Sequence, residues 1–240
     1  MGILTRSGRS AATLPTRDLE KRVVWQCASL LLDYPDGDVG ERIDEVRRML
    51  AGLDARNDAV PRLRLLTDHL ATTPVADLQA DYVATFDQRR RSNLFLTYFA
   101  HGDTRKRGTA LLRFKQTYLA AGMTLDESEL PDHLCVVLEF AATVDPERGA
   151  QLLADHRAGL EMLRIALRDE ESPWAAAVEV VCATLPPLGG GEEAAVQRLI
   201  AKGPPAEEVG LTAYGGPAFD ALLSEKRRPV DLPMPVRARP

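Results

Sequence analysis

Cysteine is scarce in this chain of 240 residues, and the three that occur, Cys27, Cys135 and Cys182, lie far apart. Their number is odd and no two form a CxxC pair, so the sequence contains neither a disulfide framework nor a paired zinc ligand. We expect buried, reduced thiols in a cytoplasmic protein, because disulfides are rare in that compartment; a disulfide is the alternative.

The sequence also lacks a long hydrophobic segment. Its N-terminus has no continuous apolar stretch of the kind that signal peptides contain. The early run VVWQCASLLL is too short to span a bilayer and is interrupted by Gln26. We therefore expect no stable membrane association, and we expect residues 1–15 to be flexible.

Motifs of the common enzyme classes are missing as well. The chain has no HExxH, Walker A, GxGxxG or GxSxG motif, and LGGGEE lacks the preceding strand and following lysine of a phosphate-binding loop. We expect no catalytic activity, no metal and no cofactor. A metal- or cofactor-dependent enzyme built in a helical bundle is a competing hypothesis, which the absence of paired Glu-x-x-His motifs weakens.

Helical periodicity is the dominant pattern in what the sequence does contain. Apolar residues recur every three or four positions between Pro and Gly breaks, and no segment alternates as a strand does. We predict an all-α, single-domain helical bundle over residues 16–203, with about eight or nine helices. The predicted segments are 18–34, 38–53, helices beginning at Pro61 and Pro74, 104–122 capped by Asp103, 131–144, one long helix from Pro146 to Glu171, one beginning at Pro173, and 192–200, with a short helix or turn near 92–102.

The C-terminal region differs in composition from the rest of the chain. Residues 204–240 contain 7 of the 16 prolines and end in SEKRRPVDLPMPVRARP. Because this region is poor in bulky apolar residues, we predict that it is a disordered tail.

Charge and aromatic residues are spread unevenly along the chain. From Asp81 to Tyr118 there are eight lysines and arginines against three aspartates, and seven of the eleven phenylalanines and tyrosines. From Thr124 to Glu147 there are seven acidic residues and no lysine or arginine. The two regions therefore carry opposite charge although they adjoin in sequence.

This asymmetry has two interpretations. The basic and acidic regions can neutralise each other across packed helices, or they can form a groove with an aromatic floor and carboxylates at its mouth that takes a cationic peptide. A nucleic-acid-binding protein that uses the RRR and RKR clusters with the aromatics is a third hypothesis. The formal net charge of −5 and the pI of about 5.5 argue against nucleic-acid binding over the whole surface.

Individual residues keep a structural and a functional interpretation at this point. Glu139 lies in the almost fully apolar segment VVLEFAA, so it requires a structural partner, such as one of the arginines, or it faces a ligand. His133 fits a core or capping role after Pro131, and Asp132 fits a carboxylate at a helix N-terminus. Tyr82 and Phe86 are spaced as core residues, although a groove wall would use the same spacing.

The central part of the sequence resembles a known family. YVATFDQRRRSNLFLTYFAHGDTRKRGTALLRFKQTYLAAG followed by ELPDHLCVVLEFAA is similar to the NarJ-type nitrate reductase assembly chaperones, within the TorD-like group of redox-enzyme maturation proteins. The resemblance extends from about Leu30, through LLDYPD, to about Ala142. The later helices agree with the family in length and character, and residues 1–15 and 204–240 lie outside the resemblance.

The resemblance implies a cytoplasmic chaperone without catalytic activity. Its partner would be the apo catalytic (alpha) subunit of respiratory nitrate reductase, bound by its N-terminal segment and kept open for molybdenum cofactor insertion before membrane docking. Contact with the cofactor insertion machinery is a further implied partnership, and direct binding of the cofactor or of a nucleotide stays open. The residues to which we assign client binding on this basis are Glu129, Asp132, His133, Glu139, Tyr82, Phe86, Phe95, Tyr98 and Arg89.

Overall fold

The computed structural model describes residues 16–102, 104–125 and 129–203, and within these ranges it contains eleven α-helices, a π-helical turn and no β-strand. The α-helices are α1 Thr16–Leu32, α2 Val39–Ala51, α3 Ala59–Thr72, α4 Val75–Tyr82, α5 Tyr98–His101, α6 Arg105–Ala120, α7 Leu134–Thr143, α8 Pro146–Asp155, α9 Arg157–Asp169, α10 Ala175–Ala183 and α11 Gly190–Lys202. The all-α prediction is confirmed. The predictions for residues 1–15, Asp103 and 204–240 lie outside the described residues.

Helix α1 lies at the centre of the bundle and packs against α2, α3, α7 and α10. Trp25 is buried there, and its indole Nε1 donates to Thr184 Oγ1 at 2.8 Å, which ties α1 to the end of α10. Helix α7 is apolar on nearly every side, and Leu134, Val137 and Leu138 are fully buried. The prediction of a buried helix at this position is confirmed. The three cysteines are free and buried.

Helices α7 and α8 approach each other closely at Gly149. A Cβ atom at this position would lie 2.3 Å from the Cβ of Ala141, so only glycine allows the two helices to pack at this distance. Helix α8 begins with Pro146 in its first turn, and the Asp145 side chain accepts from the Arg148 amide, as an N-cap residue does.

The long helix predicted from Pro146 to Glu171 is wrong, because the chain forms α8 and α9 with a break at His156. His156 has φ −110° and ψ 20°, outside helical values, and its Nδ1 hydrogen-bonds with the Leu152 carbonyl at 2.8 Å. Helix α8 packs on α7, whereas α9 packs on α10 and α11. The two halves therefore bury their apolar faces against different partners, which a straight helix would not allow.

Helix α4 continues into a π-helical turn, Val83–Asp87, that directs Phe86 into the core. The Phe86 ring lies 4.7 Å from Tyr82 and 5.5 Å from Trp174, between ring centroids. The Tyr82 hydroxyl donates to the Leu32 carbonyl at 3.0 Å. This aromatic cluster fixes the end of α4 against the end of α1.

Candidate functional site

Residues 131–133 form a turn that leads into α7 and pairs with the segment before α5. The Leu96 amide donates to the Asp132 carbonyl at 3.0 Å, and the Leu134 amide donates to the Leu94 carbonyl at 2.8 Å. Because the first amides of a helix have no partner within it, the Leu94 carbonyl satisfies one of those at the start of α7. The aromatic segment between the two basic triplets is thereby attached to the start of α7.

The Asp132 carboxylate is fully buried at this junction. Its Oδ2 accepts from the Thr97 amide at 3.1 Å and from the Thr97 hydroxyl at 2.5 Å, and it lies 3.8 Å from Arg107 Nη2. We expected a carboxylate that interacts with the N-terminus of its own helix. Asp132 instead binds Thr97, in a loop 35 residues earlier in the chain.

His133 and Phe95 form the outer part of the same junction. An isolated antiparallel bridge joins the two residues, their rings pack edge to face with centroids 5.1 Å apart, and the Arg107 guanidinium lies 5.2 Å from the Phe95 ring. Burial lowers the pKa of His133, although the carboxylates of Glu129 and Asp33 act in the opposite direction. The imidazole is therefore neutral near pH 7 and contributes shape rather than charge.

An acidic cleft lies between the end of α1 and the start of α7. We define the acidic cleft by the carboxylates of Asp33, Glu129 and Glu139, which line it together with Gln26, Ser29, Leu30, Cys135 and Val136. Asp33 is held by Arg42, whose Nη1 donates to its Oδ2 at 3.0 Å. The cleft encloses about 20 Å³, about the space of one water molecule, so it admits a lysine ammonium group but not an aromatic ring.

Glu139 is half-buried in this cleft and forms no ion pair with any residue that the structure describes. The arginine partner suggested as its structural role is therefore not observed. Burial raises the pKa of Glu139, and the negative charges of Asp33 and Glu129 raise it further. A cation placed in the acidic cleft would offset both effects, since an opposite charge stabilises the ionised carboxylate.

The aromatic candidates lie in the core rather than along the acidic cleft. Tyr82, Phe86 and Tyr98 are buried, and Phe95 is only partly exposed. Of the two roles that the sequence left open for these rings, the core position is the one observed, and their burial argues against the client-binding role assigned to Tyr82, Phe86 and Tyr98. The Tyr98 hydroxyl accepts from Arg90 Nε at 2.8 Å, which turns the polar end of this ring toward the basic triplet.

The arginines of the triplets bind within the chain, mostly away from the acidic region. Arg89 forms an ion pair with Glu170 after α9, and Arg91 donates to the Ile200 carbonyl of α11 at 3.3 Å. Arg107 lies 3.8 Å from Asp132, in the acidic region. Arg89 and Arg91 therefore join separate helices, and their contacts within the chain compete with a role on a nucleic-acid surface.

Five of the nine predicted site residues lie on or beside the first turns of α7: Phe95, Glu129, Asp132, His133 and Glu139. The sequence interpretation missed Asp33, Thr97 and Arg107 as members of this site. Asp33 lies within LLDYPD, a stretch inside the resemblance, and this was the available signal for it. Arg107 belongs to the RKR cluster, and its proximity to Asp132 agrees with the proposed neutralisation of the basic and acidic regions. Thr97 gave no signal, because its role depends on a contact between distant segments. Within the described ranges, no group of His, Cys, Asp and Glu is arranged to hold a metal ion.

The chain has detectable relatives in sequence. The profile of the nitrate reductase delta subunit family matches residues 52–179. The "Nitrate reductase-like protein NarX" of Mycobacterium tuberculosis is 42% identical over 162 residues, which cover 68% of this chain and 24% of that protein. The chain therefore corresponds to only about a quarter of NarX.

Two further comparisons cover most of the other protein. The Bacillus subtilis protein named "Probable nitrate reductase molybdenum cofactor assembly chaperone NarJ" is 30% identical over 180 residues, 74% of this chain and 97% of that protein. A crystal structure of a redox enzyme maturation protein from Archaeoglobus fulgidus superimposes with a TM-score of 0.52 at 22% identity, over 73% of this chain and 98% of that one. The likeness to the Archaeoglobus fulgidus structure concerns the fold alone.

Proposed function

The chain belongs to the nitrate reductase delta subunit family, and from this membership we propose that it is an assembly chaperone for the molybdenum-containing catalytic subunit of a nitrate reductase. We further propose that the chain acts in the cytoplasm and binds the N-terminal segment of the apo subunit. In this way it would hold the subunit competent for cofactor insertion before membrane docking. The role of an assembly chaperone is supported by relatives whose names state it, including NarJ of Escherichia coli, which is 31% identical over 148 residues.

The acidic cleft is the observation that carries the binding mode. Glu129 and Glu139 form no ion pair with a described residue, and the pKa of Glu139 is raised by burial and by its acidic neighbours. Such a pair of carboxylates gains most from an arriving cation. We propose that a lysine of the client segment enters the acidic cleft with its ammonium group.

Apolar contacts would add to the charge interaction. Tyr34 and Leu130 are exposed large side chains that follow Asp33 and precede Pro131 along the chain, beside the residues of the cleft. Covering such groups gains about 25 cal/mol per Å² of apolar area before the cost of ordering the client. An amphipathic client segment with a cationic side chain fits this combination.

The buried junction would position the cleft. Asp132 and Thr97 fix the turn immediately after Glu129 and Leu130, so they set the direction in which Glu129 points. Release then requires only a change in the client, such as folding around its cofactor, which withdraws the bound segment. We propose a cycle that does not use ATP.

Calorimetric titration tests this proposal with a synthetic peptide of the client's first residues. We expect binding that weakens with salt, and a loss of affinity between about twofold and thirtyfold in Glu129→Gln/Glu139→Gln, since each exposed ion pair contributes about 0.2–1 kcal/mol. The control Glu41→Gln/Glu147→Gln removes two exposed carboxylates elsewhere. Equal affinity in both double variants would refute the cleft as the cation site, and no binding of the peptide at micromolar concentrations would refute the client assignment.

A further inference from the structure

A second concavity of opposite character lies on the bundle between α5, the α8–α9 break and α11. We define this α11 groove by its apolar floor, formed by Leu96, Phe99, Gly159 and Leu199. It encloses about 700 Å³, within the range of about 300–1,000 Å³ that ligand pockets occupy. The groove therefore has room for several side chains, in contrast to the acidic cleft.

The floor of the α11 groove is built by a close approach of two elements. A Cβ atom at Gly159 would lie 2.9 Å from Phe99 Cδ2, so the Phe99 ring rests directly on the backbone of α9. Leu199 faces this ring from α11 and is only half-buried. Leu96 and Phe99 are buried and give the groove its fixed shape. The accessible apolar surface belongs to Leu199, Ala100 and Ala195.

The rim of the α11 groove is cationic. Arg198 and Lys202 are exposed one turn apart on α11, and neither forms an ion pair with a residue that the structure describes. Asp155 is the acidic residue of the lining, and Arg113 already holds it at 3.7 Å. A carboxylate that approaches this rim meets attraction from both cations of α11.

We propose that the α11 groove is a docking site for an acidic amphipathic segment of a partner protein. Apolar side chains of the segment would cover Leu199, Ala100 and Ala195. Its flanking carboxylates would pair with Arg198 and Lys202. This ligand is opposite in charge to the one assigned to the acidic cleft, so the two surfaces select different segments. The proposal does not depend on the client assignment above.

Fluorescence anisotropy with two labelled peptides tests this proposal on the full chain. One peptide carries a leucine and phenylalanine face flanked by glutamates, and the other has neutral glutamines in place of the glutamates, so that neither peptide carries the cation assigned to the acidic cleft. We expect the acidic peptide to bind at least about tenfold more tightly, which corresponds to about 1.4 kcal/mol. Arg198→Glu/Lys202→Glu should reverse this preference.

The control Arg64→Glu/Lys115→Glu makes the same change of charge at two exposed positions outside the groove, and it should retain the preference of the parent chain. The two peptides are also compared on the parent chain, so this part of the test does not depend on whether a variant folds. Equal binding of the peptides would overturn it, and so would the same loss of preference in both double variants. Self-association by light scattering that Arg198→Glu/Lys202→Glu abolishes would also overturn it, by identifying a second copy of the chain as the occupant.

Discussion

Replacing Asp132 with asparagine separates the structural role of this residue from the client-binding role assigned on resemblance. The carboxylate is fully buried, accepts two hydrogen bonds from Thr97 and lies 3.8 Å from Arg107. Asparagine has nearly the same shape but only one oxygen acceptor and no charge. The substitution therefore removes the charge of a buried pair without creating a large cavity.

The expected magnitude follows from these contacts. Hydrogen bonds to a charged group contribute about 1.5–3 kcal/mol, compared with about 0.5–1.5 kcal/mol for neutral ones, and breaking a buried ion pair costs about 3–5 kcal/mol. We expect Asp132→Asn to lower the free energy of unfolding by about 2–4 kcal/mol. In a domain of this size that lowers the Tm by about 4–16 °C.

Thermal unfolding and peptide titration together make the test. Thr97→Val removes only the hydroxyl donor, and the cycle of both single variants and the double variant should show a coupling energy of about 0.5–3 kcal/mol. Below its Tm, Asp132→Asn should bind the client peptide with nearly the affinity of the parent chain, because the asparagine oxygen still accepts from the Thr97 amide and keeps the turn in place, and the buried side chain does not touch the client. An unchanged Tm together with abolished peptide binding would refute this reasoning.

Three further predictions follow from packing and burial. Gly149→Ala should lower the free energy of unfolding by about 1–3 kcal/mol, because the new methyl group would overlap with α7. The control Gly108→Ala, in open space on α6, should raise the free energy of unfolding by about 0.5–1 kcal/mol. Equal effects in thermal melts would contradict the close approach at Gly149. Glu139→Gln should stabilise the chain against urea at pH 7, because the raised pKa of Glu139 means that its charged form is disfavoured in the native state. The gain in stability should vanish as the pH falls to the range where the parent carboxyl is also protonated. A gain that is independent of pH would exclude this cause. No thiol should react with Ellman's reagent in the native chain and three should react in urea, since burial raises the pKa of Cys27 and Cys182 to about 12 and that of Cys135 above its ordinary value; fast labelling of the native chain would contradict this burial.

The fold could be predicted from the sequence wherever one helix carries its own apolar pattern. Helix α7 is the clearest example, because a segment that is apolar on all sides has no stable position except the interior. The break at His156 could not be predicted in the same way. The periodicity of residues 146–171 continues through it, and the break arises because the two halves pack on different partners.

The candidate site could be predicted only in part, for a similar reason. Glu139 was found because its charge lies among apolar residues, and Glu129 because it precedes the Pro-Asp-His run of the resemblance; both line one cleft. The partner of Asp132 is Thr97, which lies 35 residues away and carries no distinguishing pattern. The spacing of Tyr82 and Phe86 indicated core residues but could not exclude a groove wall, since both positions produce the same spacing.

Photo-crosslinking to the apo catalytic subunit tests whether the start of α7 binds the N-terminal segment of that subunit. A photoreactive amino acid at Leu130, exposed beside Glu129, is compared with one at Leu65, exposed on α3, and the captured peptides are identified by mass spectrometry. The account predicts cross-links from position 130 to the first residues of the subunit and none to that segment from position 65. Capture of that segment from position 65 but not from position 130 would contradict the account.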